Sequence, residues 1–280
     1  MALRPSPVRF LGSGGDCASA RAVILGVPLE ETLSYRGGTA QAPFAVRAAS
    51  ESVESYSAIF GMNIARVGLC DLGDLDCQGG VEEALGEVGA EVRRLLREGK
   101  RVVLIGGEHT LTLGAVRGAR EALGRVQLLA LDAHSDFRDE YEGRRVCHAT
   151  TLKRCSEVAD RLVVVGARSF YGGEVEEPIF KGLHEFADCL DPEVPLYISL
   201  DLDVLDPSEC PGVTNPEPGG LRYWDLVGVF EEIRGRGLNV VALDVCELSP
   251  PFDPSGVSAI CAAKLVVEAV AAFFGRPREG

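Results

Sequence analysis

The chain has 280 residues and 46% of them are hydrophobic, which is too high for a disordered chain and sufficient for a large core. It carries 28 Lys and Arg against 42 Asp and Glu, and the resulting formal charge of −14 argues against nucleic acid and anionic membranes as partners. The first residues lack the apolar centre of a signal peptide, so we expect a cytoplasmic protein.

Short apolar runs alternate with amphipathic stretches along the chain. The amphipathic stretches predict helices at 81–97, 111–122 and 224–234. The alternation predicts an α/β fold, a parallel sheet with helices on both faces, and no long linker divides it, so we expect one domain over residues 1–280. The runs that predict strands are 22–27, 65–70, 101–105, 126–131, 161–165, 196–202 and 239–245.

Two further features bear on the class of protein. The late apolar stretch 257–274 contains Lys264 and Glu268, so it predicts a packed helix rather than a membrane span. The nine cysteines form no CxxC pair, and we expect reduced thiols that are buried as small apolar side chains. Cys147, beside His148, is the cysteine whose role stays open.

Polar residues follow four of the predicted strands. Ligands in open α/β sheets bind beyond the carboxyl ends of the strands, so these residues are expected at one edge of the sheet. The four segments are GGEHT with His109, DAHSDF with Asp132, His134 and Asp136, SLDLDVLDP with Asp201 and Asp203, and LDVCELSPPFDPSG with Asp244 and Glu247.

The residues after these strands fit a pair of metal ions. Each could be structural alone, as a cap or a satisfied histidine, but side chains two apart in an extended segment point the same way. Buried carboxylates that lie side by side repel each other, and a cation removes the repulsion. Six such ligands exceed the need of one tetrahedral zinc and suit two ions that share carboxylates. The oxygen-rich set favours Mn²⁺, although Co²⁺ and Ni²⁺ also accept it. The set is His109, Asp132, His134, Asp136, Asp201 and Asp203.

These motifs, in this order, resemble the ureohydrolase (arginase/agmatinase) family over nearly the whole chain. SYRGG at 34–38 is similar to the entry loop of that family. PGVTNPEPGGL, which follows SLDLDVLDP, is also similar, although it departs slightly from the commoner Pro-Gly-Thr-Gly-Thr-Pro run of the family. The resemblance implies the three-layer fold shared by arginases and deacetylases, two Mn²⁺ per subunit, and a trimeric or hexameric homo-oligomer. It also implies that one ion is held by His109, Asp132, Asp136 and Asp201, and the other by His134 and Asp203, with Asp132 and Asp201 bridging.

Three residues outside the ligand set also have expected roles. Glu247 is similar to the carboxylate that binds the guanidinium group, and Asp244 is expected to orient the ligands from behind. His148, in CHATT, is similar to the proton-shuttle histidine, with Ala149 where the family commonly has Gly. The implied reaction is attack of a metal-bridging hydroxide on a guanidinium carbon, which releases urea and an amine.

The loop between Asp136 and His148 indicates the substrate. Its Asp139, Glu140 and Glu142 would suit a distal ammonium, so we expect agmatine, which yields urea and putrescine and belongs to polyamine biosynthesis. The same loop also carries three cations, Arg138, Arg144 and Arg145.

Several alternatives stay open at this stage. The ligand set does not separate agmatinase from arginase, guanidinobutyrase, formimidoylglutamase or an aminopropylagmatine ureohydrolase. A deacetylase-like enzyme would use one Zn²⁺ and would not need His109 together with Asp136 and Asp203. A catalytically silent metal-binding or interaction protein is the alternative from another class.

Overall fold

The computed structural model of the protein describes residues 3–172 and 180–275. Its strands are β1 (Leu3–Arg4), β2 (Ala22–Val27), β3 (Tyr56–Ser57), β4 (Met62–Asn63), β5 (Leu69–Leu75), β6 (Arg101–Gly106), β7 (Gln127–Leu131), β8 (Arg161–Val165), β9 (Phe180–Lys181), β10 (Leu196–Asp201) and β11 (Val240–Cys246). Its α-helices are α1 (Ala42–Ser50), α2 (Val81–Arg97), α3 (Leu111–Leu123), α4 (Thr151–Ser156), α5 (Tyr223–Gly235) and α6 (Val257–Phe273).

Nine strands form one sheet in the order β1-β5-β2-β6-β11-β10-β7-β8-β9. Every neighbouring pair is parallel except β1 with β5. In the centre of the sheet, Ile105, Val245, Leu200 and Leu131 lie side by side in one row across β6, β11, β10 and β7. The chain segments that follow these four strands therefore leave the sheet at the same level.

Helices cover both faces of the sheet, which explains why the strands are continuous apolar runs. In β6, Val103 and Ile105 pack with α1, α5 and α6, whereas Val102 and Leu104 pack with α2, α3 and α4. The predicted three-layer α/β fold is confirmed.

The strand expected at 65–70 begins four residues later than predicted. Ile64–Arg66 forms a short 3-10 helix, in which the Asn63 side chain accepts a hydrogen bond of 3.0 Å from the Ala65 N–H group. The strand then runs through Asp71, which the apolar pattern did not include. Asp71 is buried because the guanidinium of Arg47 pairs with it at 2.7 Å.

Helix α6 contains an ion pair between two of its own charged residues. The Lys264 Nζ atom lies 2.7 Å from the carboxylate of Glu268, which is fully buried. The prediction of a packed helix is confirmed. Within the described parts of the chain, no helix combines the length and the apolar character that crossing a membrane requires.

The cysteines differ in one respect from the expectation of reduced thiols. Cys17 and Cys70 form a disulfide, which ties the segment before β2 to β5. The other seven cysteines are free, and four of them are buried, namely Cys147, Cys155, Cys210 and Cys246. The pairing could not be predicted from the cysteine spacing, because the two residues are 53 positions apart.

Candidate metal centre

The predicted ligands lie beyond the carboxyl ends of three of the four central strands. His109 follows β6, the segment from Asp132 to Asp136 follows β7, and Asp201 ends β10. The Asp201 carboxylate caps the next turn by accepting a hydrogen bond of 2.9 Å from the Asp203 N–H group. This cap ends the strand at Asp201 and brings Asp203 back towards the same edge.

The first cluster is built around His109. Its Nδ1 atom lies 3.2 Å from Asp132 Oδ2, 3.2 Å from Asp136 Oδ2 and 3.5 Å from Asp201 Oδ2. The His109 side chain is buried, and the three carboxylates converge on one ring nitrogen.

The second cluster is built around His134. Its Nδ1 atom lies 2.8 Å from Asp203 Oδ2 and 3.8 Å from Asp132 Oδ1. Asp132 therefore contributes one oxygen to each cluster. The structure brings together all six residues that the sequence singled out as metal ligands.

The carboxylates are buried at a high electrostatic cost. Burial raises the pKa of Asp132 to about 6, and the carboxylates of Asp136 and Asp203 add to the rise. Burial also raises the pKa of Asp201 well above its ordinary value, with Asp203 and Asp132 contributing. Burial lowers the pKa of His134, but Asp203 and Asp132 outweigh it and raise that pKa to about 10. The carboxylates of the two clusters therefore carry more negative charge than the neighbouring groups of the protein neutralise.

These residues fit divalent cations. Asp132 Oδ2 is buried and has no hydrogen-bond partner, and its 3.2 Å approach to His109 Nδ1 lacks hydrogen-bond geometry. A buried carboxylate oxygen without a donor is unfavourable unless a cation binds it. Oxygen and imidazole donors are the ligands that Mn²⁺ accepts.

A buried network behind His109 sets which ring nitrogen faces the cluster. The Asp244 carboxylate accepts hydrogen bonds from Tyr197 (2.7 Å), Ser199 (2.8 Å) and Thr112 (2.9 Å). The Ser199 hydroxyl donates its only hydrogen to Asp244. It therefore accepts a hydrogen bond from His109 Nε2, which lies 3.0 Å away. The Nδ1 lone pair of a neutral His109 then points to the carboxylates. Asp244 thus lies behind His109 and is joined to it through Ser199.

Ser199 and Tyr197 belong to this network, although the sequence pattern did not single them out. They stand two and four positions before Asp201 on β10, so the alternation of side chains along a strand puts all three on one face. This alternation is visible in the sequence of β10, but its polar residues stand within an otherwise apolar run and are not distinguished from it.

Cys246 lies near His109 and Asp201 and completes a third group of potential ligands. Burial raises the pKa of the Cys246 thiol well above its ordinary value, and the nearby carboxylates add to the rise. The Cys246 thiol donates a hydrogen bond of 3.7 Å to the Leu200 carbonyl oxygen, so it already has a partner within the protein.

Glu247 is held at the floor of the same site. Its Oε1 atom accepts a hydrogen bond of 2.5 Å from the His109 N–H group, and its Oε2 atom accepts one from the Thr214 hydroxyl. Its backbone has a φ of +65°, and Asp136 has a φ of +45°. Such conformations are unfavourable for residues other than glycine and tend to occur at functional sites.

A cavity of about 230 Å³ opens above the two clusters. It is bounded by His109, His134, Asp136, Asp201, Asp203 and Glu247 and by the more exposed residues Leu33, Ser34, Arg36, Arg138, Tyr141, His148 and Tyr171. Among the described residues that line it, the carboxylates all belong to the ligand set or to Glu247.

The sequence model of the arginase family matches residues 20–272. The chain belongs to the arginase family. The resemblance inferred from its motifs is confirmed, and the two clusters are those of a family of binuclear metal enzymes.

Individual relatives of this arginase-family chain have different names. It is 34% identical to the N(1)-aminopropylagmatine ureohydrolase of Thermococcus kodakarensis, over 92% of this chain and 93% of that protein. It is 32% identical to a guanidinobutyrase of Pseudomonas aeruginosa, over 88% of this chain and 84% of that protein. The solved structure of the agmatine ureohydrolase of Thermoplasma volcanium superposes with a TM-score of 0.86 at 31% identity, covering 95% of this chain and 94% of that one. The arginase-family chain is therefore a ureohydrolase.

The three acidic residues predicted to meet the substrate tail lie away from the cavity of this ureohydrolase. Asp139 pairs with Arg154 of α4 at 2.6 Å, and Glu140 is exposed. Glu142 lines a neighbouring cavity instead, because the chain turns back between Tyr141 and Arg144. None of the three is among the described lining residues of the main cavity.

Arg138 occupies the place where the sequence predicted negative charge. Its guanidinium lies 3.9 Å from the ring centre of Tyr171 and 5.0 Å from that of Tyr141. Aromatic faces attract a cation in this arrangement and hold it in position. The wall of the cavity therefore carries a positive charge beside two tyrosine rings.

Proposed function

We propose that this ureohydrolase hydrolyses a small guanidino compound to urea and an amine, with agmatine as the first candidate and putrescine as its product. The observation that carries the proposal is the position of Glu247. Its buried carboxylate lies on the cavity floor beside both ligand clusters, where a planar guanidinium would meet it. The structural relative named for agmatine, with a TM-score of 0.86, supports agmatine.

Each group of the chain would do one task in the reaction. Glu247 would pair with the guanidinium N–H groups, since planar forks bind carboxylates with two hydrogen bonds. This contact would orient the central carbon towards the clusters and reduce the entropic part of the barrier. His148 would give a proton to the departing nitrogen while the bond between that nitrogen and the central carbon breaks, and the oxygen of water becomes the oxygen of urea.

We propose Mn²⁺ as the metal, with Co²⁺ and Ni²⁺ as alternatives. His109, Asp132, Asp136 and Asp201 would hold one ion, and His134 and Asp203 the other, with Asp132 and Asp201 shared. Two such ions supply Lewis acidity and make water a nucleophile near neutral pH.

A specific observation favours a second substrate. Arg138 lines the cavity, and Asp139, Glu140 and Glu142 do not. A guanidino compound with a carboxylate at its far end would be attracted by Arg138, whereas the ammonium of agmatine would be repelled. Guanidinobutyrate is such a compound, and one relative is a guanidinobutyrase.

Urea release from agmatine, guanidinobutyrate, arginine and aminopropylagmatine, each with Mn²⁺, Co²⁺ and Ni²⁺, tests the proposal. In Arg138→Gln, kcat/KM for agmatine relative to guanidinobutyrate is expected to rise roughly 30-fold, because the repulsion of one substrate and the attraction of the other, each about 1 kcal/mol, are both removed. Arg144→Gln is the matched control, since Arg144 lies in the same loop but does not line this cavity. An equal response of the two variants would assign no selectivity to Arg138. Release of no urea from any of the four compounds would refute the function.

His148→Ala is expected to lower kcat by roughly 100-fold or more while both ions stay bound, because it removes a proton donor. The histidine lines the cavity, and Tyr141 packs edge-on against its ring with 5.6 Å between the ring centres. Added imidazole should restore part of the rate, and His184→Ala, at an exposed position, should leave it unchanged. Wild-type turnover by His148→Ala would exclude the proposed role.

A further inference from the structure

Glu108 is a fully buried carboxylate that neither ligand cluster uses. Its Oε2 atom accepts hydrogen bonds of 2.6 Å from the N–H groups of Glu31 and Thr32. Its Oε1 atom accepts bonds from the hydroxyls of Thr32, at 2.7 Å, and Thr110, at 2.5 Å. Each oxygen thus has two donors, which fills the capacity of an ionised carboxylate.

This arrangement determines what the Thr32 hydroxyl can offer to its other neighbour. A hydroxyl has one hydrogen, and here that hydrogen is directed to Glu108. The remaining lone pairs of Thr32 Oγ1 face His148, whose backbone N–H group and ring Nδ1 atom each lie 3.1 Å away. Both contacts are hydrogen bonds only if His148 donates, so Nδ1 must carry a proton.

The other tautomer of His148 would be unfavourable here. With Nδ1 unprotonated, its lone pair would face a lone pair of Thr32 Oγ1, and a partly buried acceptor would lose its partner. The loss of such a hydrogen bond disfavours that tautomer roughly 5- to 150-fold.

The second ring nitrogen of His148, Nε2, remains available for proton transfer. No described residue makes a hydrogen bond to His148 Nε2, and the ring lines both the main cavity and the neighbouring cavity. The neighbouring cavity, of about 240 Å³, is also lined by Glu31, Glu142 and Arg144, and gives His148 a polar side away from the substrate.

We infer that Thr32 and Glu108 are positioning residues that keep His148 in the Nδ1–H tautomer, so that Nε2 is the atom that carries the proton to the leaving amine. The inference rests on the proposed function. In this cycle Nε2 takes a proton from the water molecule whose oxygen becomes the oxygen of urea, and the ring becomes an imidazolium with both nitrogens protonated. Nε2 then gives that proton to the departing nitrogen, and the ring returns to the Nδ1–H form. The Nδ1 proton stays on its bond to Thr32 throughout.

The sequence alone could not show this chain of contacts. Thr32 and Glu108 are 76 residues apart, and Thr32 and His148 are 116 apart. In GGEHT the histidine attracted attention as a possible ligand. The glutamate of this motif, Glu108, instead binds the loop that precedes α1.

Three substitutions separate this role from simple packing. Thr32→Val keeps the shape and removes the hydroxyl, whereas Thr32→Ser keeps the hydroxyl. Thr110→Val removes the other hydroxyl from the same Glu108 oxygen without touching His148, so it reports what the loss of one donor to Glu108 does by itself. We expect Thr32→Val to lower kcat by about 10- to 100-fold with KM changed less than about twofold, and Thr32→Ser to restore most of the rate.

The tautomer is measured directly by ¹⁵N NMR of labelled histidine at about pH 9, above the ordinary titration range of histidine. The protein is loaded with Zn²⁺, which is diamagnetic, and since the chain has four histidines, His148 is assigned from the spectrum of His148→Gln. Wild type, Thr32→Ser and Thr110→Val should show Nδ1 protonated. Thr32→Val should show a mixture or the Nε2–H form.

The inference is overturned if wild-type His148 carries its proton on Nε2, if Thr32→Val keeps the Nδ1–H signal, or if Thr32→Ser is as slow as Thr32→Val. The wild-type spectrum decides even when a variant does not fold. A wild-type protein that shows Nδ1–H but releases no urea from any guanidine would refute the proposed function and leave the geometry of the tautomer established.

Discussion

Replacing Glu247 by Gln is expected to lower kcat/KM for every guanidino substrate by roughly 100- to 10,000-fold, because truncating one partner of a buried charge pair costs about 3–5 kcal/mol. Burial raises the pKa of Glu247 to about 8 in the absence of ligands, and hydrogen bonds from Thr214 and the His109 N–H group oppose the rise. A bound guanidinium favours the ionised form of Glu247. The charge pair between Glu247 and the substrate therefore forms when the substrate binds.

Glutamine keeps the shape of the side chain, so the loss should be electrostatic. Its oxygen can accept the bond from the His109 N–H group, and its amide can face the Thr214 hydroxyl, which can turn to accept. Metal content and the melting temperature should therefore stay close to wild type while urea release falls.

Glu268→Gln is the matched control for this substitution. Glu268 is also a fully buried carboxylate, but it pairs with Lys264 in α6 and does not line the cavity. Its replacement should lower stability and leave urea release per folded molecule unchanged. If Glu247→Gln retained activity on any guanidino compound, the role of Glu247 in holding the substrate would be disproved.

The elements of the fold could be predicted because their signals are local. Helix α2 runs from Val81 to Arg97 and strand β2 from Ala22 to Val27, as the sequence predicts. Both have an apolar pattern of the right period and a clear break at each end. The convergence of the six ligand residues was predictable for the same reason, since each follows an apolar strand of a parallel sheet.

The alternation of side chains in an extended segment explains only part of the convergence of residues 132–136. Asp132, His134 and Asp136 were expected to share a side because an extended segment alternates, but Asp136 has a φ of +45° and leaves the extended conformation. Asp136 reaches His109, whereas His134 turns to Asp203. The spacing indicates proximity, and the turn decides which cluster each side chain joins.

Charge on a loop does not reveal its partner. Asp139 was expected to meet a substrate ammonium, yet it pairs with Arg154, which stands 15 residues later on another element. The order along the chain gives no hint that Arg138 turns to the cavity and Asp139 away from it. The same limit concealed the contact of Thr32 with His148, which depends on tertiary packing alone.

Replacing Asp132 by Asn is expected to remove metal from both clusters and to abolish urea release, because Asp132 supplies an oxygen to each of them. The variant keeps its hydrogen bond from the His134 N–H group to Oδ1, which is 2.6 Å long in wild type. What it loses is the negative charge of the Oδ2 atom, which has no hydrogen-bond partner in the protein. An amide at that position cannot balance a divalent cation.

Relative to wild type, the melting temperature of Asp132→Asn should shift in opposite directions with and without metal. Without metal, Asp132→Asn relieves repulsion among crowded carboxylates, so the variant should melt at the same temperature as wild type or higher. With Mn²⁺ at about 100 times the dissociation constant of each site, the two ions should stabilise wild type by about 5.4 kcal/mol, or roughly 10 °C, whereas the variant should gain little.

Metal analysis after dialysis and melting curves with and without MnCl₂ measure both effects. Asp206→Asn is the control, because Asp206 lies on the same SLDLDVLDP segment but is outside the clusters and accepts bonds from Ser208, Gly219 and Gly220. It should keep both ions and the full response to Mn²⁺. If Asp132→Asn bound two ions per chain as tightly as wild type, Asp132 could not be the carboxylate that the two clusters share, and the binuclear centre would have to be assigned to other residues.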